Sequence, residues 1–318
     1  MLTYIFGIIT GVAQPTQTSI NSALRMRLRS PYLASIVSFV TAALGICVLV
    51  MCISHNLSIP FTDIAKEPWW IWTGGLCGDV IVLMCILCLP KLGSVETVIL
   101  TVLGQITAGL AVDHFGLFRS TVIRLTGLRA LGAALVILGV VIVSTKLGNK
   151  AKAIEPDEAP KLSASKKMLF RAAALSVGVA SGLQIGINGR LGAVVGSSLK
   201  AALLSMCVGT VGIVLVTVAI WLVKGRAGVI DESLPIIEGK WWMWIGGFAG
   251  ILIVGGCILV AQILGPGLAA ILNIVGQTAG GVIIDATGFL GIEKKPITLS
   301  KIIGILIMIA GTVLVQIM

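Results

Sequence analysis

Apolar residues in this chain come in continuous runs of about twenty, separated by short polar stretches, and do not alternate with polar ones. Such runs predict membrane-crossing helices. A hydrocarbon core of about 30 Å takes roughly 20 helical residues, whereas barrel strands are shorter and alternate. The runs fall at 3–24, 33–53, 70–89, 94–112 and 125–145, and again at 169–190, 200–223, 242–263, 267–285 and 300–318. The one long polar stretch, 146–168, is rich in Lys, Glu, Asp, Ala and Ser, with Glu155-Pro156-Asp157-Glu158 at its most polar point, and reads as a solvated linker. It separates a first five-helix unit, 1–145, from a second, 169–318.

The two units repeat each other. Gln17-x-x-x-Asn21 with Leu24 returns as Gln184-x-x-x-Asn188 with Leu191. The run Trp69-Trp70-Ile71-Trp72-Thr73-Gly74-Gly75 with Gly78 returns as Trp241-Trp242-Met243-Trp244-Ile245-Gly246-Gly247 with Gly250. Gly104-Gln105, Gly109, Asp113 and Gly116 return as Gly276-Gln277, Gly281, Asp285 and Gly288, while Arg129, Gly132 and Gly139 are matched by Lys301, Gly304 and Gly311. Matches in the same order over nearly all of both halves mark a duplication. Five crossings per half is an odd number, so the second half starts on the opposite side of the membrane from the first. The expected fold is therefore an all-α integral membrane protein of ten transmembrane helices, arranged as two inverted-topology five-helix repeats.

Composition agrees with a membrane setting. Of 318 residues, 57% are hydrophobic and 11% charged, against about 25% charged in soluble domains. Soluble enzymes, nucleic-acid binders and disulfide scaffolds are thereby disfavoured. The first run is expected to stay as a spanning helix, because it lacks a basic start and carries Gln14, Pro15, Gln17 and Asn21 where a cleaved signal needs an apolar run. The net charge of +10 fits basic cytoplasmic loops beside anionic lipid. Loops with Lys66, with Arg119, Arg124 and Arg129, and with Arg190 and Lys200 share one side and hold six basic residues; the linker's side holds seventeen. The linker is thus expected in the cytoplasm and both termini outside. The seven cysteines all lie in apolar stretches and read as packing residues, and no metal site or cofactor is expected.

Polar groups at membrane depth usually face a cavity or a partner helix, because lipid cannot satisfy them. In the first helix Gln14, Gln17 and Asn21 share a face, and Ser181, Gln184 and Asn188 take the same places in the sixth. In the fourth, Thr97, Thr101, Gln105, Gly109 and Asp113 run at four-residue spacing, matched in the ninth by Ala269, Asn273, Gln277, Gly281 and Asp285. Gln105, Asn273 and Gln277 then fall near mid-membrane as cavity-lining candidates, and Asp113 and Asp285 at a helix end as anchors. Amides both donate and accept, which suits a hydrogen-bonding solute or interhelical packing. Asp79 is the one acid without a mate in the repeat, where Ile251 stands. It is the candidate coupling or cation-binding residue; the alternatives are a protonated carboxyl bonded to a neighbouring helix or a fixed pair with Arg129.

Each half resembles the YdcZ-type five-span family of the drug/metabolite transporter superfamily. The resemblance rests on Gln-x-x-x-Asn, Trp-Trp-x-Trp-x-Gly-Gly, Gly-Gln-x3-Gly-x3-Asp-x2-Gly, Asp113-His114-Phe115-Gly116 and Lys294-Lys295-Pro296-Ile297-Thr298. The chain looks like a tandem fusion of two such units. It departs from the pattern where the first half lacks the Lys-Lys-Pro-Ile-Thr turn and the second has Asp285-Ala286-Thr287-Gly288. The resemblance implies a bacterial-type inner-membrane permease without ATP hydrolysis, its cavity lined by helices one, three and four of each half. It also implies both termini in the cytoplasm, at odds with the charge count.

No Walker loop, His-Glu-x-x-His or Gly-x-Ser-x-Gly is present, so no enzyme is expected. The expected function is secondary transport of a small metabolite or drug-like solute by alternating access. The expected partners are that solute, membrane lipid and an ion or proton gradient. The alternative is a non-transporting membrane partner or sensor that uses its polar stripes for packing.

Overall fold

The computed structural model describes residues 1–144, 163–233, 237–288 and 296–316. Most of the linker, and Lys294 and Lys295, lie outside the described residues. The described chain is helical, with no strand. The first half holds α1 (Leu2–Leu28), α2 (Pro31–Ser54), a short α3 (Phe61–Ile64), α4 (Gly74–Phe115) and α5 (Gly127–Ser144). The second holds α6 (Ala164–Val195), α7 (Ser198–Lys224), a short α8 (Arg226–Val229), α9 (Gly246–Gly250), α10 (Gly256–Leu264), α11 (Pro266–Thr287) and α12 (Leu299–Gln316). Among the described residues, eight stretches are long and apolar enough to cross a membrane, and Gly74–Met84 is a shorter apolar helix. Large apolar side chains such as Leu44, Val48, Leu215 and Leu306 stand exposed on these helices, as a lipid-facing surface requires.

The same local signals shape both halves. Ser30 caps α2 through its side chain on the Leu33 N–H, and Ser197 caps α7 on that of Lys200. Just before each cap the chain takes a left-handed turn, at Arg29 (φ 52°) and at Gly196 (φ 69°). Glycine takes that conformation without a Cβ clash; Arg29 adopts it at some cost.

α4 differs from the expected pair of spans, since one helical run covers both. Its two arms nevertheless run in opposite senses along α6. Gly74 lies at Asn188, Gly78 at Gln184 and the Cys88 thiol at the Phe170 carbonyl, so numbers fall along α6 as they rise along α4. From Glu96 at Arg171, through Gly104 at Leu175, to Ala108 at Gly182, they rise together. The chain therefore reverses between Cys88 and Glu96, where the sequence has Pro90 and Gly93. In the second half the break is explicit: α10 ends at Gly265 (φ 85°) and Pro266 opens α11. In the register that pairs Gln105 with Gln277, Gly265 pairs with Gly93. The expected eighth span is also interrupted, by a π-helical turn at Ile251–Gly255.

Each half lends its first helix to the other. Gly11 of α1 packs on the backbone of Asn273, Gly276 and Gln277, and Gly276 on Ile8. Reciprocally, Gly178 of α6 packs on the backbone of Thr101 and Gln105, and Gly104 on Leu175. A Cβ at any of these four glycines would strike main-chain atoms, which is why small residues recur on the seams. α5 and α12 cross with Gly132 at Gly311 and Gly139 at Gly304, an antiparallel contact.

Candidate solute pathway and its polar residues

The amides on α1 and α6 occupy matching places with different partners. Gln17 Nε2 and Asn21 Nδ2 both donate to Ser38 Oγ of α2, at 3.3 and 3.1 Å. In the other half Gln184 Nε2 donates to the Gly74 carbonyl at 2.9 Å, and the Oγ of Ser205, the mate of Ser38, has no partner among the described residues. Asn21 Oδ1 and Asn188 Oδ1 are likewise buried without partners there. Buried oxygens left without partners are costly.

Ser181, Gln184, Asn188, Cys257 and Asn273 converge on a small cavity of about 40 Å³ between α6, the π turn, α10 and α11. That volume takes about one or two waters. Three of the sequence candidates thus meet in one place. The others do not join them: Gln17 and Asn21 sit at Ser38, Gln105 is buried in the α4–α6 seam with Nε2 without a partner among the described residues, and Gln14 and Gln277 are half-buried outside the cavity lining. Cys257, read from sequence only as a packing residue, accepts from Asn273 Nδ2 at 3.4 Å and lies 3.9 Å from Thr10 Oγ1. It links α1 to α11 beside the cavity.

Asp79 is buried with neither carboxyl oxygen partnered among the described residues. It packs on Gly212 of α7, where a Cβ would collide with Oδ2. Its mate Ile251 packs on Gly45 of α2, the counterpart of Gly212. The fixed pair with Arg129 is not formed. Arg129 Nη2 instead donates to Asp113 Oδ2 at 2.7 Å, and Nη1 to the Ile123 carbonyl at 2.9 Å. Asp113 Oδ1 also accepts from the Gly267 N–H at 2.9 Å, so this buried pair joins the end of α4 to the start of α11. Its mate Asp285 has a side chain outside the described set.

A second ionic cluster was not legible in the sequence. Glu67, just before the Trp69–Trp72 turn, takes Arg119 Nη1 at 2.9 Å and the guanidinium of Arg190 from the end of α6. The hydrogen-bonded Arg190 holds the Glu67 carboxyl below the usual carboxylate range, against the opposing effect of burial, and Arg119 adds to this. The partners are 52 and 123 residues away, so no local spacing pointed to them. The contact does bring together three loops that the charge count placed on one side. At the other pole, Arg27 reaches the Ile237 carbonyl and the Asp231 N–H the Arg29 carbonyl. Beside the Glu67 cluster lies a larger cavity of about 430 Å³, bounded by the 118–123 loop, the end of α6 and the α10–α11 turn.

Long apolar helices packed through glycine seams around buried amides define a multi-pass membrane protein. The family follows from the sequence match: residues 2–142 and 169–314 fit the model described as "Putative inner membrane exporter, YdcZ", and the chain belongs to that family. It is accordingly a membrane transporter of the drug/metabolite type at family level. No curated protein matches the chain. A solved structure described only as "Crystal structure of protein" is 14% identical, covers 98% of this chain and 94% of its own, and superposes with a TM-score of 0.65. At that identity the likeness concerns the fold.

Proposed function

We propose that this protein is a secondary transporter that exports a small solute by alternating access between two inverted five-helix repeats, ten crossings in all. The observation that carries the reading is the reciprocal exchange of first helices across buried amides. α1 runs parallel to α11 and α6 parallel to the second arm of α4, while α5 and α12 are antiparallel. Equivalent helices that pair head to tail fit repeats related by a two-fold axis in the membrane plane. Rocking of one repeat on the other would open the water-sized cavity at Gln184, Asn188 and Asn273 to one side at a time, and the unpartnered amide oxygens would then meet the solute. Asn273→Leu should test this: export in proteoliposomes should fall roughly five- to a hundredfold, the effect of about 1–3 kcal/mol for a lost buried hydrogen bond, with protein yield unchanged. Loss of folded protein with normal activity in the remainder would favour a packing role instead.

The linker side is proposed to be cytoplasmic on the basic-residue count. A cysteine placed at Ser163 in a cysteine-free background should resist a membrane-impermeant maleimide in intact cells and react after permeabilisation. Ready labelling of intact cells would put the linker outside and the termini within.

A further inference from the structure

The 430 Å³ cavity at the pole of residues 4 and 316 has three arginines among its lining residues, Arg119, Arg129 and Arg190. We infer that it is an oxyanion-binding vestibule, taking a small carboxylate or phosphate; read with the export function proposed above, this makes the solute an anion.

Three observations carry it. First, the charges are arranged one-sidedly. All three arginines line the cavity, whereas the two carboxylates that pair with them, Glu67 and Asp113, do not. Among the described residues, no Asp or Glu lines the cavity. Glu67 is shared by Arg119 and Arg190, so that cluster keeps one positive charge in excess. Secondly, donors remain over. Among the described residues, Arg119 spends only Nη1 on Glu67, and Arg190 only Nε and Nη2, out of five N–H groups each. Arg129 is 2% exposed and its Nη1 and Nη2 are spent on the Ile123 carbonyl and Asp113, so it adds charge to the wall rather than a free donor. Thirdly, the wall is built rather than incidental. Phe118 and Arg119 both take left-handed backbone, at φ 58° and 57°, and the Phe118 ring lies edge-on to Trp70 with centroids 5.1 Å apart. Ser120, Thr121 and Gln262 add neutral polar groups to the lining. The volume lies within the roughly 300–1,000 Å³ range of small-molecule sites. Guanidinium forks suit carboxylate and phosphate oxygens better than neutral or cationic groups.

On this reading Glu67 is a resident competitor, a carboxylate already seated on the guanidiniums of Arg119 and Arg190. That gives a test no purely structural role would pass. Purified full-length protein in phosphatidylcholine nanodiscs is titrated with succinate and with inorganic phosphate at constant ionic strength, and thermal stabilisation gives Kd. Wild type should be stabilised by at least one of them and not by tetraphenylphosphonium. Arg190→Gln should weaken that binding about tenfold, and Arg190→Lys less, because lysine keeps the charge and loses the fork. Glu67→Gln removes the competitor and should tighten binding at least threefold. A parallel set of nanodiscs containing phosphatidylglycerol identifies the source: stabilisation by that lipid, lost in Arg190→Gln, assigns the site to a lipid headgroup, and its absence leaves a soluble anion. Binding of neither, or a Glu67→Gln variant that binds no more tightly than wild type, overturns the inference. Export is measured separately in proteoliposomes. Arginine-dependent anion binding without flux would retain the vestibule and reject transport; flux of a neutral solute or cation without anion binding would do the reverse.

Discussion

Asp113→Ala should cause the largest loss of stability of any single substitution considered. Arg129 is 2% exposed and Asp113 fully buried, so the variant leaves a guanidinium in the interior with only the Ile123 carbonyl to face. Breaking a buried pair by removing one partner typically costs about 3–5 kcal/mol. Asp113 also receives the Gly267 N–H, so the same change orphans a backbone donor at the contact between the halves. The expected result is little or no monodisperse protein after solubilisation, and a sharply lowered melting temperature for what remains. Combining Asp113→Leu with Arg129→Met should recover much of the loss, since two apolar residues remove the uncompensated charge. A melting temperature for Asp113→Ala equal to that of wild type would show that the pair contributes nothing to holding α4 and α11 together.

Asp79→Asn should have the largest effect on function. An ionised carboxylate alone at membrane depth costs at least about 2.5 kcal/mol. Asp79 stands where the other repeat has Ile251, against the equivalent glycine, so packing does not call for an acid there. As a group that exchanges a proton or cation against the solute, it would be needed for accumulation and not for the fold. Asp79→Asn keeps the shape and removes the titration, and should abolish gradient-driven accumulation in proteoliposomes while solute exchange and binding persist. Asp79→Ile, which copies the repeat mate, should fold at least as stably as wild type and be equally unable to concentrate solute. Accumulation by Asp79→Asn with unchanged pH dependence would remove this residue from coupling.

The amides show how far spacing along a helix can be taken. Helical spacing grouped Gln14, Gln17 and Asn21 on one face, and of these Gln17 and Asn21 share a bond to Ser38. Spacing is a property of one helix, however, and the partner helix was beyond its reach. Ser38 takes two amides in one half, whereas in the other Gln184 turns to the Gly74 carbonyl and Ser205 is left without a partner among the described residues. The repeated sequence carries an equivalence that its side-chain bonding does not keep. Asp79 is the reverse case: its lack of a mate was visible in the sequence, and the glycine it faces was not.

Sequence by itself determined what depends on neighbours in the chain. Run length and composition marked the apolar helices and repeated motifs marked the duplication, because burial and helical period act within a few residues. Tertiary structure alone decided what depends on pairing. It gave Arg129 to Asp113 and not to Asp79, joined Glu67 to arginines 52 and 123 residues away, and gathered Gln184, Asn188 and Asn273 around one cavity while leaving Gln105 in a seam. A charge or an amide in a low-dielectric interior takes whichever partner packing brings within reach, and close approach of the glycine seams sets which helices meet.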